Sequence, residues 1–363
     1  MRNNIITQNK GEWSELYVFL KLLGEGILYA ADADLNKIED LYYPLIEILR
    51  KEDEQVKHYV KEAVKIKVKD DSNNVLLELP APEFVAKSEI LIDEIKKGSS
   101  AFAIPVIEEF MDVIKCTKVK APALEKSDIT LVLHDCKTFK NELFGFSIKS
   151  DLGMPPTLFN SGVSTNFTYE IIGNMSNKQV DKINSIDSKF AKLRDRINAI
   201  YELGCNIKFS KLEHRSCRAN LQMIDTKMPE ILAEYVLLYF SGKGRTILEL
   251  TPLVRQINPC NFDLFSEHKY YEHKIKTFLT DCALGMTAAK PWNGKFQATG
   301  GHIIVKKDGE VLCYHIYNRN EFRDYLFKNT KLETPDAKRH GFGTIYQEND
   351  KNYIKLNLQV RFI

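Results

Sequence analysis

The stretch that decides the fold is residues 128–167, DITLVLHDCKTFKNELFGFSIKSDLGMPPTLFNSGVSTNF. Two short apolar runs, Asp128-Ile-Thr-Leu-Val-Leu-His134 and Leu143-Phe-Gly-Phe-Ser-Ile-Lys149, flank a polar connection. Both are rich in β-branched and aromatic residues, so the simplest reading is a hairpin. Side chains alternate along a strand, which sends Phe144, Phe146 and Ile148 into a core and turns Gly145, Ser147 and Lys149 to the other face. The first run opens with a carboxylate and the second closes with a lysine. That pairing suits phosphodiester cleavage: the carboxylate holds Mg²⁺, while the ammonium orients or activates water and offsets phosphate charge.

Downstream, the Gly/Pro/Ser/Asn-rich residues 151–162 read as a link and 166–172 as a strand. Residues 176–201 predict one long helix, with a stripe at Ile183, Ile186, Phe190, Leu193, Ile197 and Ile200. Lys178, Lys182, Lys189, Lys192 and Arg196 sit off that stripe. A boundary is conceivable at 204–210, although no true linker stands there. Helical patterns follow over 227–240, 245–257 and 268–284. The tail reads as a hairpin over 299–317 around Asp308-Gly309, a helix over 321–328, and strands over 344–346 and 353–362. Between them Lys338-Arg-His-Gly-Phe-Gly343 puts two cations and an imidazole on a glycine-bearing loop.

Upstream, Trp13, Leu16, Phe19, Leu20 and Leu23 give a helical period that Gly24 or Gly26 stops. Glu12 and Glu15 share its first turn. They read either as favourable charge near a helix N-terminus or as metal ligands. Residues 27–31 suggest a short strand and 40–50 a helix on Leu41, Leu45, Ile48 and Leu49. Residues 63–69 and 75–79 alternate around a turn at 70–74, a hairpin whose Lys65, Lys67 and Lys69 form a solvated face or touch phosphate. Residues 82–95 and 104–114 look helical. The chain is mixed α/β, read as three regions: 1–172 with the catalytic hairpin, a helical 173–297, and a β-rich 298–363 suited to DNA recognition.

Composition narrows the class. In 363 residues, 44% hydrophobic and 28% charged content are those of a soluble globular protein. No apolar run reaches the ~20 residues that span a bilayer, so no membrane partner is expected. The first seven residues lack an apolar signal core, which predicts a cytoplasmic protein. Seven scattered cysteines without a CxxC pair read as free thiols. His214-x-x-Cys217 is the nearest approach to a metal pair, and reads as an ordinary helix face. A net charge of +2 excludes a uniformly basic DNA-coating protein but permits a basic face.

The PD-(D/E)XK nucleases carry an Asp and, on the next strand, an acidic residue two before a Lys. Asp128 and Lys149 fit this, with Ser147 in the acidic slot. Around them stand Gly11-Glu-Trp-Ser-Glu15, Gly145-Phe-Ser-Ile-Lys-Ser-Asp-Leu-Gly153, Thr157-Leu-Phe-Asn-Ser-Gly162, Thr165-Asn-Phe167, Tyr314-His-Ile-Tyr-Asn-Arg-Asn320 and Arg339-His-Gly-Phe-Gly343. Together, from about Asn9 to the C-terminus, the chain resembles the HpaII-type restriction endonucleases.

The resemblance implies a PD-(D/E)XK-like mixed sheet flanked by helices, and a Type II enzyme making Mg²⁺-dependent double-strand cuts at a short palindrome, CCGG for the family's namesake. With Ser147 in the acidic slot, another carboxylate must complete the metal site: Glu15 first, Glu12 second, with Glu170 and Asp151 as outsiders. Asp135 is an alternative to Asp128. Guanine O6 and N7 in such a target suit Arg or Lys, so Arg319, Arg323, Lys338 and Arg339 are candidate DNA contacts, with Gln297 and His340 behind them. A palindrome favours a homodimer, although a monomer nicking twice would serve. A cytosine methyltransferase is the expected functional companion. The rival reading is a catalytically inactive DNA-binding protein on the same fold, and a weaker one takes His315-Ile-Tyr-Asn318 as an HNH-type nuclease site.

Overall fold

A computed structural model describes residues 6–52, 55–120, 127–136, 138–189, 191–265 and 267–363. Two compact units are interleaved along the chain. One comprises residues 1–156 and 296–325, the other 157–295 and 326–363. The sequence reading divided the chain consecutively instead, because local patterns do not show which distant strands will pair.

The first unit is built on a nine-stranded mixed sheet. Its order is Ile27–Ala31, Val311–His315, Gly301–Val305, Lys140–Ser150, Ile129–Asp135, Lys37–Glu52, Gln55–Lys61, Lys65–Lys69 and Val75–Pro80. The first half of Lys37–Glu52 also pairs with Ile27–Ala31, so the first six strands close on themselves. The expected hairpin forms, with Ile129 opposite Phe146 and Asp135 opposite Lys140. Phe144, Phe146 and Ile148 are buried in the core, as alternation requires.

The helix expected over 40–50 is instead part of the 16-residue strand Lys37–Glu52. Pro44 lacks an N–H and would break a helix there, while Ile27 faces it across the ladder. Tertiary pairing on both sides overrides the local apolar spacing.

The N-terminal helix, Lys10–Glu25, begins in a capping box: Asn9 accepts from the Glu12 N–H and the Glu12 carboxylate accepts from the Asn9 N–H. It ends at Gly26 in the left-handed conformation, φ 75°. Trp13, Leu16, Phe19, Leu20 and Leu23 are fully buried against the sheet. Helices Ala81–Lys97 and Pro105–Val113 follow the predicted pattern.

The second unit holds two antiparallel sheets. One has the order Asn206–Leu212, Asn166–Ile172, Lys351–Asn357 and Ile345–Glu348; the other, Thr157–Phe159, Val360–Phe362 and Thr330–Leu332. Asn206–Leu212 pairs along Asn166–Ile172, so residues 204–210 are no boundary. The long helix expected over 176–201 is two helices, Asn177–Asn184 and Lys192–Glu202. Arg196, off the expected stripe, is buried and bridges the break. Its guanidinium donates to the carbonyls of Asn184, at the end of the first helix, of Ile186 just beyond it, and of Gly343. Phe190 of the expected stripe lies outside the described residues, as do the first five residues of the N-terminus read for a signal core. The cation-bearing loop 338–343 is largely a helical turn, Ala337–His340, capped by Asp336 and ended by Gly341. His214 and Cys217 do lie at a helix, Arg215–Ile224, where His214 is the cap and accepts from the Cys217 N–H. All seven cysteines are free. Among the described residues no helix is long and apolar enough to cross a membrane.

Candidate active site

Asp128 sits just before its strand, tied by its N–H to the Phe146 carbonyl. Its Oδ2 accepts two hydrogen bonds, from the Ile148 N–H at 2.7 Å and the Ser147 hydroxyl at 3.0 Å. The Lys149 ammonium donates to Ser147 Oγ at 2.8 Å. Ser147 therefore links lysine to carboxylate across the two strands. Burial pulls the Lys149 pKa below its ordinary value, against the opposing pull of Asp128 and Glu15.

Glu15 comes to the same place from the first turns of the N-terminal helix. Ser14 fixes that helix by donating to Ser150 Oγ at 2.8 Å, at the end of the strand bearing Lys149. Glu15 Oε2 is buried without a hydrogen-bond partner. Burial first, and the Asp128 charge second, raise the Glu15 pKa to about 8. A buried carboxylate with an orphaned oxygen beside a second carboxylate is the donor chemistry that a hard divalent cation satisfies. Among the described residues no group of three or more His, Cys, Asp or Glu gathers around a common point. The Asp128 charge is felt at Glu15, which marks the two carboxylates as neighbours.

The other candidates fall elsewhere. Glu12 uses its carboxylate in the helix cap. Asp135 is buried at the far end of the strand from Asp128 and accepts from Thr138. Asp151 follows the lysine-bearing strand and its N–H donates to Val305. Glu170 belongs to the second unit and pairs with Lys351 at 2.9 Å. His315 is sealed among Tyr43, Phe144, Phe146 and Tyr317, an aromatic core position unlike an HNH centre.

Of the DNA-contact candidates, Gln297, Arg319 and Arg323 are in the first unit, and Lys338, Arg339 and His340 in the second. Exposed Gln297 flanks the site: its carbonyl lies 3.4 Å from where a Cβ on Gly145 would stand. Gly300 donates to the Gly145 carbonyl and Gly145 to Thr299 Oγ1, fixing this turn against the strand that carries Ser147.

Lys120 was not anticipated. Its ammonium is 4.0 Å from Glu15 Oε1. The segment bearing it is pinned by Arg50, which donates to the Lys118 carbonyl at 2.6 Å, and by Glu52, which accepts from the Thr117 N–H at 2.7 Å. Both belong to the strand mistaken for a helix, so no local signal connected them to the site.

Comparison with known proteins agrees with the motifs. The chain is 43% identical over 357 residues to the Type II restriction enzyme HpaII of Haemophilus parainfluenzae, covering 98% of each. No solved structure matches. The family described as HpaII restriction endonuclease matches residues 9–362. With motifs, family and relative in agreement over nearly its whole length, the chain belongs to the HpaII restriction endonuclease family.

Proposed function

We propose that this restriction endonuclease makes Mg²⁺-dependent double-strand cuts in DNA at a short palindrome, CCGG, and that its first unit is a PD-(D/E)XK-type core. The observation that carries the reading is the chain Asp128–Ser147–Lys149, with the orphaned Glu15 oxygen beside it. Asp128 and Glu15 are the residues to hold the cation, which when bound supplies Lewis acidity to the scissile phosphate. Lys149 orients the attacking water and offsets charge on the phosphate. Ser147 keeps Lys149 in reach of Asp128, doing by hydrogen bonding what an acidic residue does in the commoner motif. Hydrolysis in line leaves 5′-phosphate and 3′-hydroxyl ends.

The resemblance to HpaII-type enzymes, with 43% identity to one of them, supports CCGG as the target. Arg319, Arg323, Lys338 and Arg339 have the donors that guanine O6 and N7 accept, with Gln297 and His340 beside them. The C-terminal β-rich region is assigned to recognition. Palindromic cutting is served by two copies related by a twofold axis. A companion cytosine methyltransferase protects the host sites. Plasmid digestion with Mg²⁺ against EDTA tests the reading: discrete fragments with Mg²⁺ alone support it, and wild-type cutting by Lys149→Ala sinks the site assignment.

A further inference from the structure

A groove of about 720 Å³ lies within the second unit, and its lining among the described residues includes Lys189, Lys192, Arg194 and Arg245 but no carboxylate. One wall is the break between the two helices that the sequence read as one. The other is the turn Ser241-Gly-Lys-Gly-Arg245, with Tyr239 and Phe240 leading into it. Gly242 has φ +74°, and a Cβ there would stand 2.7 Å from Arg194 Cδ, so only glycine lets this turn close down on the arginine stem. Ala337, just before Lys338 and Arg339, completes the rim. Lys243 is exposed between the two glycines.

We infer that this groove is a binding site for the phosphodiester backbone of duplex DNA, additional to the cleavage centre. Acidic neighbours stand beside its cations: Lys192 has Asp187 at 2.7 Å, Arg194 has Asp195 at 3.7 Å, and Arg245 has Glu333 at 3.5 Å. The cationic side chains are 42%, 55% and 57% exposed, so these pairs hold weakly in water and exchange readily for phosphate. Charge concentrated here in a chain of net +2 is the footprint of a polyanion partner. An open trough rimmed by long cationic stems suits a continuous backbone, and the Arg194 and Arg245 forks match paired phosphate oxygens. Such contacts set register on the duplex without reading bases.

The inference rests on the DNA-cleaving reading, and its test separates the two. Full-length K192Q/R194Q/R245Q is compared with wild type by fluorescence anisotropy. Ca²⁺ replaces Mg²⁺ to withhold cleavage, one duplex contains CCGG and another lacks it, and salt is varied. Each lost phosphate contact lowers the slope of log K against log salt by about 0.9, so the triple variant loses roughly 2–3 in slope, equally on both duplexes. Lys192→Gln alone loses about 0.9, and R194K/R245K, which keeps the charge, retains the wild-type slope. Unchanged slopes in folded Lys192→Gln and the triple variant overturn the groove and leave the nuclease standing. A wild-type chain that binds neither duplex overturns both.

Discussion

Ser147 Oγ donates to Asp128 Oδ2 and receives the Lys149 ammonium, so one hydroxyl mediates between the two charged groups of the centre. Removing it in Ser147→Ala leaves the ammonium without this acceptor and the carboxylate with one donor fewer. Hydrogen bonds to charged groups are worth about 1.5–3 kcal/mol, which converts to roughly 10- to 100-fold in kcat. Single-turnover cleavage reads this directly, and a variant cutting at the wild-type rate refutes the mediating role.

Lys149→Ala should cut at least ~10²-fold more slowly while keeping much of its affinity for the duplex, because a positioned proton-handling group contributes about 10²–10⁴ in rate. Loss of affinity and rate in equal measure would show that Lys149 serves binding alone.

Glu15→Gln removes a carboxylate that pays a burial cost and faces Asp128. In EDTA at pH 8 the variant should melt no lower than wild type. Addition of Mg²⁺ should raise the wild-type melting temperature and leave the variant unmoved. Equal Mg²⁺ stabilisation of both would remove Glu15 from the metal set.

Burial lowers the His315 pKa from 6.5 to about 4. The unfolded chain therefore takes up a proton near pH 6.5 that the folded chain refuses until about pH 4. Stability is fully present above pH 6.5 and falls as pH drops through that window, by roughly 2–3 kcal/mol from this group. Urea unfolding at pH 7 and pH 5 measures the loss. His315→Phe, which keeps a ring beside Tyr43 and Phe144, should show a smaller one.

Gly145→Ala places a Cβ 2.7 Å from the Ser127 Cβ, immediately before Asp128. Overpacking of this kind costs about 1–3 kcal/mol and displaces the carboxylate. Both a lower urea midpoint and slower cleavage are expected; an unchanged midpoint would show that Ser127 moves aside freely.

What the sequence made legible was local. The alternation that buries Phe144, Phe146 and Ile148 needs only one strand, and Gly26 marks a helix end within a few residues. The strand Lys37–Glu52 was misread because Leu41, Leu45, Ile48 and Leu49 satisfy a helical spacing, and only partners distant in sequence decide otherwise. The break before Lys192 was hidden for the same reason: Arg196 closes it by reaching carbonyls that spacing cannot display. Within the candidate site, Asp128, Ser147, Lys149 and Glu15 lie in quotable motifs. Lys120 owes its position to Arg50 and Glu52, and had no such mark.

The strand carrying Ser147 and Lys149 takes its parallel neighbour from Gly301–Val305, and Gly145 is bonded to Thr299, 154 residues further along. Whatever the ribosome has made before that point lacks one neighbour of the strand bearing Ser147 and Lys149. A nascent or prematurely terminated chain therefore cannot assemble this centre as it stands in the finished protein. The strand bearing Ser147 and Lys149 is thus covered on one edge early, by Ile129–Asp135, and on the other only when the chain has passed residue 301.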